Sequence, residues 1–460
     1  MLIQDSSDTI AAISTCAGEG GIGIVRLSGK DALRVADKVF RSADGRKPSD
    51  FKTYTTHYGW VVDGDGMIDE VILTVMRSPR SFTKEDVVEI NCHGGIVPLR
   101  ATLDLVLACG CRLAEPGEFT RRAFLNGRID LTQAEAVLDI IRAKTDAALK
   151  LGAEQLKGGL SKELNMVRNM LLDVLAVVEA NIDFPEEGIN KVDLKQARSG
   201  LNNIGEELKK IISGSGRGRI YREGVRAVIC GKPNVGKSSL LNALLKCERS
   251  IVTPVAGTTR DTIEEIIDIQ GIPVRIVDTA GILKPRDLIE KKAVARSRRH
   301  IGVADLVIVI FDGSRKLDNA DFGLIKKLPK KPAIAVINKI DLRQRINKDK
   351  LCKKFPYVVE VSSKKIKNID ILEKAIAELV YKGKITAGEP ALVSNLRHIR
   401  SIREAQILIA EATNSLDNKT SLEYVAQDIK DALAQIDDML GKRFSDDLLN
   451  KIFSEFCIGK

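Results

Sequence analysis

Val225-Arg-Ala-Val-Ile-Cys-Gly-Lys-Pro-Asn-Val-Gly-Lys-Ser238 joins a short apolar run to a glycine-rich turn. Val225 to Cys230 reads as a buried strand. The following Gly231-x-x-x-x-Gly236-Lys237-Ser238 matches the phosphate-loop pattern at every fixed position. A helix is predicted from Ser239 to Leu245. Strand, loop and helix in that order leave backbone N–H groups and a helix N-terminus facing one point, which is an anion cradle. Lys237 then reaches the outer phosphates and the Ser238 hydroxyl ligates magnesium, with Asn234, Val235, Gly236 and Ser239 completing the loop.

Further motifs follow at the ends of apolar strands. Asp278-Thr279-Ala280-Gly281 ends the strand Ile272 to Val277, where the aspartate can hold magnesium through water and Gly281 can sense a terminal phosphate. Asn338-Lys339-Ile340-Asp341 ends Ala333 to Ile337, and Ser362-Ser363-Lys364 ends Val358 to Val361. Ligands of open parallel sheets bind at such carboxyl ends. An aspartate there accepts from the ring N–H and exocyclic amine of guanine, which adenine does not offer, so GTP is preferred to ATP. Between phosphate loop and Asp278 lies Thr253-Pro254-Val255-Ala256-Gly257-Thr258-Thr259-Arg260-Asp261, suited to a switch that orders around the terminal phosphate. Thr259 is its magnesium candidate.

Position 282 is isoleucine, where many GTPases carry the glutamine that orients the attacking water. Glu290 is the nearest downstream carboxylate on the predicted next helix and is the candidate to replace it. No arginine finger is assigned, although Arg260 lies in the switch loop. A metal cation could supply the same positive charge, and Asn234 could ligate it.

At 460 residues and 44% hydrophobic, the chain suffices for about three cores. Short apolar runs such as Val71–Met76 and Val87–Ile90 alternate with turns up to about residue 119, predicting an α+β domain over 1–119. Helical spacing of Leu131, Ala134, Val137, Leu138 and Ile141 opens a helical domain over 120–215, broken by Asp183-Phe-Pro-Glu-Glu187. Ser213-Gly-Ser-Gly-Arg-Gly218 reads as a linker into an α/β G domain over 216–384. Helices resume over 385–460, so the α/β unit is predicted to interrupt one discontinuous helical domain. The start, Met1 to Ser14, is not basic, and no run of about eighteen apolar residues occurs. A cytoplasmic protein without membrane spans is expected. Eight cysteines lack zinc spacing and are expected as reduced thiols, while a net charge of +10, from 72 basic and 62 acidic residues, favours an anionic partner.

The motifs Pro233-Asn-Val-Gly-Lys-Ser-Ser-Leu240, Gly257-Thr-Thr-Arg-Asp261 and Asp278-Thr-Ala-Gly281 are shared by several translation-related GTPases. The flanks choose among them: Gly20-Gly-Ile-Gly-Ile-Val-Arg-Leu-Ser-Gly29, Ser81-Phe-Thr-Lys-Glu-Asp86, Glu89 with His93-Gly-Gly95, Pro116-Gly-Glu-Phe119, Asn126-Gly-Arg-Ile-Asp-Leu-Thr-Gln-Ala-Glu-Ala136 and Phe456-Cys-Ile-Gly-Lys460. Together they resemble the MnmE family of tRNA-modifying GTPases from end to end. The resemblance implies an N-terminal folate-binding domain that dimerises, a discontinuous helical domain, and an inserted Ras-like P-loop G domain that dimerises with potassium. It implies a homodimer that joins the flavoprotein MnmG in a heterotetramer and modifies carbon 5 of the wobble uridine of certain tRNAs, with an aminomethyl or carboxymethylaminomethyl-type group. A tetrahydrofolate derivative would donate the carbon.

By the same resemblance potassium is held by Asn234, Thr253, Val255 and Thr258, magnesium by Ser238 and Thr259, and Glu290 positions the water. Arg26, Glu89, Arg128 and Lys460 would bind folate, and Cys457 would join the modification chemistry, with a buried structural thiol as its rival. Leu283-Lys-Pro-Arg286 departs from the family's usual stretch, and Arg128 stands where other members carry lysine. Two other readings are a ribosome-assembly GTPase of the same group, expected to carry a KH-type RNA appendage that the helical tail does not offer, and a folate- and GTP-binding scaffold without tRNA chemistry.

Overall fold

Alternation at Gly23, Val25 and Leu27 puts every second residue of the first long apolar run inside, the period-two pattern of a strand with one covered face. The computed structural model describes residues 8–16, 18–183, 191–247, 264–278, 304–326, 328, 331–381, 392–418 and 420–460. The chain divides into two compact units, 1–138 with 436–460, and 139–435.

In the first unit the order is β1 (Ile10–Ile13), β2 (Gly20–Ser28), α1 (Ala32–Val39), β3 (Phe40–Ser42), β4 (Thr55–Asp63), β5 (Gly66–Met76), β6 (Val87–Gly94), α2 (Ile96–Ala108), β7 (Arg112–Leu113), α3 (Glu118–Leu125) and the first eight residues of α4 (Leu131–Arg142), whose last four belong to the second unit. The strands form one sheet in the order β3-β4-β5-β6-β2-β1-β7, with β7 parallel to β1 and the other pairs antiparallel. Val25, Leu27, Leu73, Val75, Val88 and Ile90 bury one face against Leu33 and Val35 of α1 and Leu99 and Val106 of α2.

A second core joins Phe124, Leu131, Ala134 and Leu138 to Leu449, Phe453 and Phe456. The latter belong to the helix Asp446–Phe453, whose N-cap Ser445 accepts from Leu448 N at 3.2 Å. The segment after that helix is strapped to the sheet unit. Gly117 N donates to Cys457 O at 3.3 Å, and Phe119 N to Lys460 O at 3.1 Å.

The second unit begins with α5 (Asp146–Leu156), α6 (Gly159–Asp183), α7 (Lys191–Ile212) and α8 (Ser215–Glu223). Leu164, Val167 and Leu171 of α6 are buried, as are Leu201, Ile204 and Leu208 of α7, and α7 also packs on the helix Leu396–Asp417. The Ser213–Gly218 linker is a correction: all but its first two residues lie in α8, which Gly214 and Gly224 cap. Ser215 and Gly218 are buried there, so packing stabilises a helix that intrinsic propensity disfavours.

β8 (Val225–Gly231), α9 (Lys237–Cys247), β9 (Glu264–Ile269), β10 (Ile272–Asp278), β11 (Leu306–Asp312), β12 (Ala333–Asn338) and β13 (Tyr357–Glu360) follow. Their sheet runs β13-β12-β11-β8-β10-β9, parallel except for the edge strand β9. Ala227, Ile229, Ile308, Ile310 and Val336 pack under Leu240 and Leu244 of α9 and Leu372 and Ile376 of the helix Ile369–Tyr381. Val307, Val309, Phe311, Ala335 and Ile337 face Leu351 and Phe355 on the other side. Cover on both faces explains why these strands are uninterrupted apolar runs. The molecule is therefore multidomain, α+β and α/β, with helices and a Ras-like P-loop G domain.

Gly441 tests the second core. Its φ is +72°, and a Cβ there would stand 2.6 Å from the Phe124 ring and 2.9 Å from Leu131 Cβ. Left-handed strain and overpacking together predict that Gly441→Ala loses about 2–4 kcal/mol. The measurement is the urea midpoint followed through Trp60, the one tryptophan, which lies in β4 of the same unit. An unchanged midpoint would mean that this packing is not tight.

Candidate functional site

β8 delivers the chain to the phosphate loop, and α9 begins at Lys237, so the loop amides sit at a helix N-terminus. Gly236 has φ +99°, and any Cβ there would collide with Asn338 Nδ2. Only glycine allows the loop and the guanine-side strand to approach this closely. Lys237 is buried, with Nζ donating to Gly231 O at 3.1 Å and Lys232 O at 2.8 Å, which aims its ammonium across the loop. Ser238, Ser239 and Asn234 are exposed, and Asn234 takes a left-handed φ of 63°. Val235 is buried beneath them.

Asn338, at the end of β12, joins the two halves of the site. Its Nδ2 donates to Val235 O at 2.9 Å, while its Oδ1 accepts from Ser363 N at 3.0 Å and Ser363 Oγ at 2.9 Å. Lys339 Nζ donates to Asn234 O at 2.8 Å and to Asp312 Oδ2 at 2.6 Å. Burial pushes the Asp312 carboxyl up, but Lys339 and Ser314 outweigh it and hold the group below the usual carboxylate range. Ile340 N donates to Val361 O at 3.2 Å, which brings the Asn-Lys-Ile-Asp and Ser-Ser-Lys turns together. Ser362 Oγ donates to Asp341 Oδ1 at 2.6 Å, and this bond lowers the Asp341 pKa. Asp341 is thus held beside Ser362 and next to exposed Lys364, in the turns that the sequence reading assigns to guanine.

Asp278 closes β10 beside Ile229, as its motif requires. Thr253, Pro254, Val255, Ala256, Gly257, Thr258, Thr259, Thr279, Ala280, Gly281 and Glu290 lie outside the described residues. Asp312 is a functional support that the motif reading passed over. Its signal was an aspartate ending the apolar strand Leu306–Phe311, the same position that Asp278 occupies in β10.

The second cluster lies in the sheet unit. Arg26 of β2 and Glu89 of β6 are cross-strand partners, with Nε to Oε1 at 2.7 Å. Arg26 Nη1 also donates to Gly459 O at 3.1 Å, and its guanidinium lies 5.6 Å from the centroid of the Phe119 ring. Lys460 is fixed through its carbonyl to Phe119 N, so the tail reaches the same patch. Arg128 stacks over Phe82 at 4.9 Å and donates to Phe82 O at 3.1 Å. Phe82 packs in turn on the core of Ile10, Ala12, Ala114 and Phe119. The Ser81–Asp86 motif is held by Ser28, whose Oγ is 2.7 Å from Thr83 Oγ1 and donates to Glu85 Oε2 at 2.6 Å. Buried Arg122 reaches Glu85 and Glu118.

Cys457 is exposed, whereas Cys92, Cys111 and Cys230 are buried free thiols. Burial pushes the Cys230 thiol up to about 12, which makes it an inert packing group. Among the described residues no group of three or more His, Cys, Asp or Glu could hold a metal, and no helix is long and apolar enough to cross a membrane.

Asn338→Ala would leave the Val235 carbonyl and the Ser363 amide without partners, at about 1–3 kcal/mol for each buried group. GTP affinity is expected to fall at least tenfold in a fluorescent-nucleotide titration, with Asn338→Asp intermediate because it keeps the acceptor. Wild-type affinity in the alanine variant would show that the joint is dispensable.

The profile of the MnmE helical domain matches residues 131–457, and that of the GTP-binding protein TrmE N-terminus matches residues 9–128. The tRNA modification GTPase MnmE of Carboxydothermus hydrogenoformans is 46% identical over 458 residues, covering 98% of this chain and 99% of that protein. Its counterpart in Alkaliphilus oremlandii is 44% identical over 463 residues, covering 98% and 99%. Among solved structures, Aquifex aeolicus Era bound to GDP·AlF4− aligns over 40% of this chain and 66% of its own at 30% identity, with a TM-score of 0.28. With a phosphate loop, a guanine-side turn and nearly full-length relatives in agreement, this chain belongs to the MnmE family of tRNA modification GTPases and hydrolyses GTP in tRNA modification.

Proposed function

We propose that the chain is a potassium-stimulated GTPase that works as a homodimer in the cytoplasm. With the flavoprotein MnmG, in a heterotetramer, it modifies carbon 5 of the wobble uridine of tRNA with an aminomethyl or carboxymethylaminomethyl-type group. A tetrahydrofolate derivative supplies the carbon. The observation that supports this best is the meeting of Arg26, Glu89, the aromatic rings of Phe119 and Phe82, and the Gly459–Lys460 tail in one patch. A flat heterocycle with a carboxylate tail is suited by the half-buried Phe82 ring together with the forked cation of Arg26 and its partner Glu89.

In the G domain, Lys237 neutralises the outer phosphates, while Ser238, with Thr259, holds magnesium through an exposed hydroxyl. Asn234 offers an exposed amide, its backbone carbonyl already occupied by Lys339. Together with Thr253, Val255 and Thr258 it would hold potassium, whose charge stabilises the negative charge that develops on the phosphates. Glu290 orients water in place of the missing glutamine. Cys457, exposed beside the tail lysine, is the candidate for the modification chemistry.

GTP hydrolysis measured in potassium chloride and in sodium chloride at equal ionic strength is expected to differ at least tenfold. Asn234→Ala should remove the difference. Equal rates in both salts would overturn cation assistance.

Mass spectrometry of tRNA nucleosides tests the chemistry. Cells lacking the chain should lose the modified wobble uridine and regain it with the wild type. Arg26→Gln, which removes a charge-assisted contact of about 1.5–3 kcal/mol, should bind a tetrahydrofolate derivative at least tenfold more weakly and restore little. Unaltered nucleosides in the deletion strain would remove the proposal.

A further inference from the structure

At the end of β8 and β10 away from the phosphate loop, a cavity of about 620 Å³ opens within the second unit. Strand starts, α8 and the turn between α4 and α5 line it, and six lining side chains are cationic against three carboxylates. The carboxylates are largely committed. Asp139 pairs with Arg222 at 2.7 Å, Glu223 with Arg219 at 2.8 Å, and Asp305 accepts from the Arg226 backbone N at 3.0 Å. Lys144, Arg226 and Arg275 make no side-chain ion pair among the described residues.

Arg226 and Arg275 are register partners on adjacent parallel strands. Neighbouring strands lie about 4.8 Å apart, and like charges side by side on a sheet are destabilising. Neither residue supports the core, because Ala227 and Val274 fill that role from the next positions. Tyr221 adds an aromatic wall, its hydroxyl hydrogen-bonded to Tyr381 at 3.4 Å. A repulsive arginine pair with a lysine and an aromatic ring around an open cavity is the chemistry of a phosphate-backbone contact.

We propose that this cleft binds the phosphodiester backbone of RNA, with Arg226, Arg275 and Lys144 as its phosphate contacts. The cavity is too large for one phosphate, and its free cations lie on three separate elements rather than converging on one point, which suits a chain of phosphates better than a small anion. The proposal deepens the functional reading, resting on it only in taking tRNA as the RNA. The cleft is remote from GTP: Arg226 precedes Gly231 by five residues of strand, about 16 Å.

The test is fluorescence anisotropy of a labelled, unmodified tRNA transcript with the full chain, between about 50 and 200 mM salt. Arg226→Gln/Arg275→Gln is expected to weaken binding at least tenfold and to lower the salt slope by about 1.5, the contribution of two phosphates. Lys353→Gln/Lys354→Gln, which removes the same charge from an exposed site elsewhere, should change affinity less than twofold. The cleft variant should keep its basal GTP hydrolysis, and its thermal midpoint should hold or rise because a repulsion is relieved.

Equal weakening by both double variants, an unchanged salt slope, or absence of tRNA binding by the wild type would each overturn the proposal. So would arginine-dependent thermal stabilisation by inorganic tripolyphosphate with tRNA affinity untouched, which would mark a small-anion site. Nucleoside analysis separates the two levels. Normal tRNA affinity in the cleft variant with wobble modification intact sinks the cleft alone, whereas wild-type cells without the modification sink the functional reading alone.

Discussion

Arg26 Nη1 donating to the carbonyl of Gly459 spans 433 positions of sequence, and with the Phe119–Lys460 bond it dictates the topology of the molecule. Because residues 457–460 are strapped to the first sheet, everything from 139 to 435 must leave that unit and return to it. Such a closure costs conformational entropy that grows only slowly with the length enclosed. The aromatic core of Phe124, Phe453 and Phe456 offsets it, each large apolar side chain contributing about 1.5–3 kcal/mol on burial. The same strap places the tail beside Glu89 and Phe119, so the constraint that closes the chain also composes the candidate folate patch.

In the nucleotide domain a comparable economy is achieved by polar groups. One buried amide, Asn338, couples the strand that presents Asp341 to the loop that presents Lys237. Lys339 adds a second tie through Asn234 and Asp312. The turn that carries Asp341 and the loop that carries Lys237 are thereby held in one frame by direct hydrogen bonds. A displacement of the Asp341 turn is therefore passed to the loop through Asn338.

Much of this was legible in the sequence because the relevant signals are local. Fixed spacings marked the phosphate loop, and unbroken apolar runs marked strands buried on both faces, as in Leu306–Phe311 and Ala333–Ile337. Short apolar runs between turns marked β5 and β6, as in Val71–Met76 and Val87–Ile90. What could not be read was non-local. Nothing in Phe124 or Leu131 announces Phe453, and nothing in Asp312 announces Lys339, because pairing across long separations leaves no periodic trace. The Ser213–Gly218 stretch misled for the opposite reason. Its glycines carry a strong local preference for an open chain, which burial of Ser215 and Gly218 overrides. Thr253 to Thr259 and Glu290 rest on motif and family resemblance alone.

The shared core of Phe124, Leu131, Phe453 and Phe456 also has a bearing on biosynthesis. Ribosomes add about 5–20 residues per second, so Phe124 and Leu131 emerge tens of seconds before the helix that covers them. Through that interval the first unit displays the apolar floor of its second core while the α/β domain folds behind it. The nascent chain thus has a defined window, lasting until Leu449, Phe453 and Phe456 have been made, in which chaperones or a partner can engage that surface.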